Sequence, residues 1–330
     1  MEASAAIVEL RNVLTDYGFN ASSMGSAGIG EQLPTLRDLE RDLKVTFDAY
    51  QQSRFTIAAG RVSTLLADAQ LVLLEQSAGE RGEVFGILAL SCQAAASVLI
   101  KAGEPDLAWI AAERGLIAAG NANSPAIRGS LIRSVAFSLL STGRSDAAMR
   151  LIESGGSFME SEGVEGSSMM SVHGTLFLAG AMAAARFGDR ARTADYLAEA
   201  NDAACRLGRD SNDLWTAFGP ANVAVHRVNT AAELGDMQTV LDSAESLNVA
   251  TLPVERKVRY LFDVAQAYSL TGKRNEALDI LIKAERMAPE HVRQHHLAKK
   301  VVMTLVQKSA GKPSVELGKL AQRVNVAAAF

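Results

Sequence analysis

A chain of 330 residues with a formal charge of −4, 5% aromatic residues and only 7 prolines is long enough for one or two globular domains, or for one solenoid. Abundant alanine with few aromatics favours closely packed helices over a sheet protein, which would draw on more Val, Ile, Tyr and Thr. So mild a charge excludes a general electrostatic pull toward nucleic acid or an acidic membrane.

Residues 4–19 predict an amphipathic helix with Ile7, Leu10, Val13 and Leu14 on one face. A Gly/Ser leader follows from Ser22 to Gly30, and a second helix is expected from about Leu36 to Ser53. Phe47 to Gln70 reads as a helical hairpin that turns at Arg54-Phe55. Beyond it, Gly103, Gly143, Gly188, Gly235 and Gly272 each stand between two helical patterns, 40, 45, 47 and 37 residues apart. Between Glu153 and Ser171 the periodicity gives way to Gly and Ser, which predicts a mobile connection. Because the glycine rhythm continues across it, one array is expected over 33–306. Residues 1–32 precede it as helix and leader, and 307–330 follow as a linker and a capping helix carrying Leu317, Leu320 and Val324.

The clearest hairpin is Val258 to His291. Leu261, Val264, Ala265 and Tyr268 share one helical face, Thr271-Gly272 breaks it, and Ala277, Leu281 and Ala284 share the next, closed by Pro289. This Gly, Ala, Ala, Pro spacing resembles the tetratricopeptide motif, a helical hairpin that hides its apolar face only by stacking on neighbours. The expected fold is therefore all-α: a tetratricopeptide-like superhelix, an α-solenoid of helical hairpins.

Enzyme signatures are weak. GSAGIG at 25–30 has the glycines of a nucleotide loop in the wrong order and no strand before it, and GKPS at 311–314 has proline where a Walker motif needs Ser or Thr. His291, His295 and His296 place two imidazoles one turn apart but lack an acidic partner, which predicts a solvated helix start. Cys92 and Cys205 fall within apolar helical patterns and read as small core residues in a reducing compartment. No apolar run reads as a membrane span and the first residues lack signal-peptide features, so a cytoplasmic protein is expected. It is expected to be no enzyme and to need no metal or cofactor.

Aligning Gly235 with Gly272 puts Asn222, His226 and Asn229 on one face of a first helix. The other glycines place Gln93 and Ser97, Arg133 and Phe137, and Asp263 and Gln266 on corresponding faces. A concave trough of amides, an arginine and apolar platforms suits an extended peptide, whose backbone both donates and accepts. The competing reading is that these polar groups tie adjacent helices together. Trp215 and Phe218, just before Gly219-Pro220, read as packing anchors.

These residues also carry a family likeness. FGPANVAVHRVN with AELGD, then LPVERKVRYLFDVAQAY and AERMAPEHVR, resemble the C-terminal tetratricopeptide region of actinobacterial transcriptional regulators that begin with a Cro/repressor-type (XRE) helix-turn-helix. LADAQ at 66–70 and GEPDLAWIAAERGL at 103–116 are similar to other parts of that region. Asn222, His226 and Arg227 match the family block. The resemblance implies ligand or partner sensing, dimerisation and control of a DNA-binding head. With one helix and a glycine-rich leader before the array, this chain is expected not to read DNA itself. It would bind a peptide or protein, or act as a structural adaptor that pairs with itself or with a helix-turn-helix-bearing paralogue.

Overall fold

The computed structural model describes residues 2–15, 33–75, 81–244, 246–309 and 312–326. Among the described residues the protein is all-α, with sixteen α-helices, one 3-10 turn at Asp213–Trp215 and no strand beyond a single bridge between Ser211 and Phe218. The end of the first expected helix, residues 16–19, and the leader with its GSAGIG stretch lie outside the described residues, as does Gly311 of GKPS.

Where one array was expected over 33–306, the chain forms two compact units that divide at Gly163. The first holds α1 (Glu2–Thr15), α2 (Leu36–Gln51), α3 (Phe55–Glu75), α4 (Arg81–Ala102), α5 (Pro105–Ala119), α6 (Pro125–Ser141) and α7 (Ser145–Glu162). Each helix from α3 to α7 packs on the next, and α4 also packs on α6. Small residues permit that closeness. A Cβ built on Gly115 of α5 would lie 2.8 Å from the Cβ of Cys92 and 2.6 Å from Leu131, so this glycine is where α5 meets both neighbours.

The second unit contains Gln51–Arg54 and everything from Val164. Its helices are α8 (Gly166–Phe187), α9 (Arg190–Leu207), α10 (Pro220–Glu233), α11 (Met237–Ala244), α12 (Val254–Leu270), α13 (Arg274–Met287), α14 (Pro289–Gln294), α15 (His296–Gln307) and α16 (Val315–Arg323). Here the repeat logic is plain. The first helix of each pair touches its own partner and the first helix of the next pair, α8 on α10, α10 on α12 and α12 on α15. Equivalent corners meet too: Arg190, after the α8 turn, donates to Asp236 at 2.5 Å and to the carbonyl of Leu234 at 3.1 Å, after the α10 turn. That ion pair is exposed and contributes little energy; its value is that it marks the register.

The five glycines do what their spacing implied. Each has φ between 77° and 84° and stands at a helix end, where a side chain would be strained. Ala277, Leu281 and Ala284 of α13 are fully buried, and α16 with the residue that follows it caps the core through Leu317, Leu320 and Val324. We expect Ala277→Leu to cost about 1–3 kcal/mol by overpacking α12 against α13, read from urea unfolding.

Several expectations need correction. Residues 153–162 are helical, because Gly155, Gly156 and Met159 are buried in α7 and packing outweighs their weak propensity. Pro289 does not simply close the hairpin; it begins α14 at its first position. Cys205 is exposed, since Ala200, Ala203 and Ala204 take the buried stripe of α9. His291 is not solvated but 1% exposed, edge-on to Phe262 at 5.2 Å. Finally, α3, α4 and α8 are each long and apolar enough to cross a membrane. In α4 and α8 most of that apolar surface is buried against neighbouring helices.

Candidate functional site

The residues expected to line one trough fall in both units. In the first, Gln93 of α4 accepts a hydrogen bond from Ser130 of α6 at 2.6 Å, and Ser97 donates to the Gln93 carbonyl. Arg133 lies over its own helix neighbour Phe137, 5.8 Å from the ring centre. Gln93 and Arg133 are buried and Phe137 half-buried, so the pairing of Gln93 with Ser130 ties α4 to α6.

In the second unit the polar row is denser. Asn229 of α10, with its amide nitrogen toward α12, donates to Asp263 at 2.8 Å and to the carbonyl of Val225 at 3.0 Å. The other oxygen of Asp263 accepts from Arg259 at 2.8 Å. Asp263 is 1% exposed, and burial pushes its carboxyl up to about 6 against the pull of Arg259. Arg259 also faces Glu233, which in turn pairs with Arg186 of α8, so one chain of charges crosses α8, α10 and α12. Gln266, one turn beyond, remains half-buried.

Two of the row differ in kind. The Nδ1–H of His226 donates to the carbonyl of Asn222 at 2.9 Å, since a carbonyl can only accept. Burial, with Arg256 nearby, lowers this imidazole to about 3, so it is neutral at physiological pH. Asn222 itself is 0% exposed, and among the described residues neither polar atom of its side chain has a hydrogen-bond partner. A buried polar atom left unpaired costs on the order of 1–3 kcal/mol. Of the expected residues, Asn222 is the fully buried one whose side-chain amide makes no hydrogen bond to the described residues.

The segment that leads into α10 is built with strain. Leu214, Trp215 and Ala217 all have positive φ, near 46°, 54° and 49°, a conformation that disfavours residues with a Cβ. Asn212 holds this loop by accepting from the Ala217 N–H at 3.1 Å and by a reciprocal amide pair with Gln51 at 2.9 Å each way. Phe218 then drops its ring onto Gly174 of α8, where a Cβ would lie 1.9 Å from the ring. Gly219 passes so close to Asp210 that a Cβ would fall 2.5 Å from its Cα, and the Asp210 carboxylate accepts from the Ala221 N–H at 3.0 Å. Phe218 is the buried anchor expected; Trp215 is only half-buried. Sequence reasoning gave Gly174, Asp210 and Asn212 no role: the Phe218 ring over Gly174 and the Gln51 amide paired with Asn212 are distant in the chain, and no local pattern marks Asp210.

No protein-family model matches the chain, and no curated protein matches it. Among solved structures, Ton1535 from Thermococcus onnurineus NA1 is similar at 13% sequence identity, over 91% of this chain and 99% of its own, with a TM-score of 0.25. So loose a superposition carries neither fold nor function from one protein to the other.

Proposed function

We propose that this chain is a ligand- or partner-binding regulatory protein, not an enzyme, whose second unit receives an extended peptide along the polar row of α10 and α12. The resemblance of the α10 block to XRE-type regulators suggests transcriptional control as its setting. The observation that supports the reading best is the fully buried amide of Asn222, which makes no hydrogen bond to the described residues. A buried polar group without a partner calls for an explanation, and the reading here is that another state of the protein, or a guest, uses it.

The mechanism follows from repeat packing. Each hairpin of the unit touches mainly its neighbours, so α10 and α12 can part slightly without unfolding the rest. In the packed arrangement Asn222 is unpaired; in a slightly opened one its amide pairs with a peptide backbone. A guest that binds only the opened arrangement draws the population toward it. The adaptor alternative would dock through the terminal helices; on α16, Leu317 and Leu320 are buried in the unit's own core and Val315 is exposed.

The test is a selection of extended peptides from a displayed random library on the full chain, followed by affinity measurement on wild type and Asn222→Leu. Loss of two amide bonds at about 0.5–1.5 kcal/mol each predicts a weakening of about fivefold to about 150-fold. Peptides that bind both proteins within about twofold would refute the site.

A further inference from the structure

The second unit divides its charge unevenly between its two rows of helices. The first helices, α8, α10, α12 and α15, which touch one another in succession, carry seven lysines and arginines against three carboxylates. Their partners α9, α11, α13 and α16 carry eight of each, in a chain whose formal charge is −4. The first row is therefore a cationic layer on an otherwise neutral or acidic protein.

Two of its three carboxylates are out of a guest's reach. Glu255 and Asp263 are 2% and 1% exposed and pair with Arg256 and Arg259. That leaves Glu233 as the exposed carboxylate of the layer among the described residues. It stands at the last position of α10, where the partial negative charge of a helix end disfavours an anion. Cations on both sides hold it there: Arg186 of α8 at 3.3 Å and Arg259 of α12 at 3.8 Å. His296 and Lys300 of α15 are exposed beside this group. Burial first, then Arg259 and Arg186, lower the His296 imidazole, with Glu233 pulling the other way and Lys300 adding to the cations. Charges from four successive helices thus meet at one place, around a single exposed carboxylate.

We propose that the guest of this layer is an acidic peptide, one of whose carboxylates takes the place of Glu233 between Arg186 and Arg259, within reach of Lys300. The proposal rests on the reading of α10 and α12 as a peptide site and adds the chemistry of the peptide. Nucleic acid fits less well, because a long polyanion would also meet the net negative charge of the whole chain.

Fluorescence anisotropy of the full chain with labelled peptides of alternating Gly and Glu, or Gly and Gln, at low and high salt tests this. The Glu peptide should bind saturably and the Gln peptide about tenfold more weakly or worse, with high salt erasing most of the difference. Lys300→Glu should weaken the Glu peptide by about fivefold or more, whereas Lys283→Glu, the same charge change at an exposed position of α13, should leave it within about twofold. Glu233→Gln, which removes the resident carboxylate, should tighten it by about threefold. Equal affinity for the two peptides, equal weakening by the two lysine variants, or tighter binding of an oligothymidylate of the same length overturns the acidic-peptide assignment. Weaker binding by Glu233→Gln overturns the exchange at Glu233. Asn222→Leu keeps the two readings apart. If both peptides bind wild type equally and both weaken in that variant, the Asn222 site stands and the acidic preference falls; if the Glu peptide alone binds and the variant leaves it unchanged, the reverse holds.

Discussion

Gly174→Ala should destabilise the second unit by on the order of 3–5 kcal/mol, as much as deleting a buried phenylalanine. The added methyl would lie 1.9 Å from the Phe218 ring, and neither partner can yield cheaply. Gly174 sits within α8, and Phe218 is fully buried and fixed by its hydrogen-bonded bridge to Ser211. The ring must therefore leave, and its burial energy leaves with it. The two residues should be strongly coupled. In a Phe218→Ala background the cost of Gly174→Ala should fall by more than about 1 kcal/mol, because the clash is gone. Urea unfolding of the four proteins of this cycle measures it. Additive costs would mean that Phe218 does not rest on Gly174.

The second large effect is on acid stability. His226 titrates near 3 in the folded protein and near 6.5 when unfolded, so its contribution is fully present above pH 6.5 and is lost as pH falls toward 3. Each pH unit between those two values is worth about 1.4 kcal/mol, so the loss reaches about 5 kcal/mol. Asp263 works in the opposite direction. Its folded value near 6 lies above the ordinary 3.8, so its ionisation costs stability above pH 6, and about 3 kcal/mol is regained as pH falls to about 4. Between pH 6 and 4 the two largely cancel. His226→Asn, whose amide can still donate to the Asn222 carbonyl, should remove the acid loss. Asp263→Asn should leave His226 unopposed and steepen the fall below pH 6.5. Urea unfolding at pH 7, 6, 5 and 4 separates them, and parallel profiles for all three proteins would contradict both assignments.

Much of the helical repeat was legible because its signals are local. Gly272 ends a helix by its own backbone, and Ala277, Leu281 and Ala284 declare a buried stripe by spacing alone. The polar row on α10 was legible for the same reason. What spacing could not give was the depth of that row, since Asn222 reads alike whether its face meets water or another helix. Gly155 and Gly156 misled in the opposite sense: small residues suggest a loop, yet here they let α7 pack closely. The division at Gly163 was hidden because the interval from Gly143 to Gly188 matches the others. His291 was misread because its burial depends on Phe262, which belongs to another helix.

The central claim is that Asn222 carries an amide the packed protein does not need. Its most direct test is the thermal unfolding of Asn222→Leu, an apolar side chain of nearly the same shape, in the protein alone. If the amide is unpaired, removing its desolvation cost should raise the melting temperature by on the order of 5 °C. A melting temperature lower than that of the wild type would mean that the amide is bonded within the fold, and the proposed peptide site would lose its foundation.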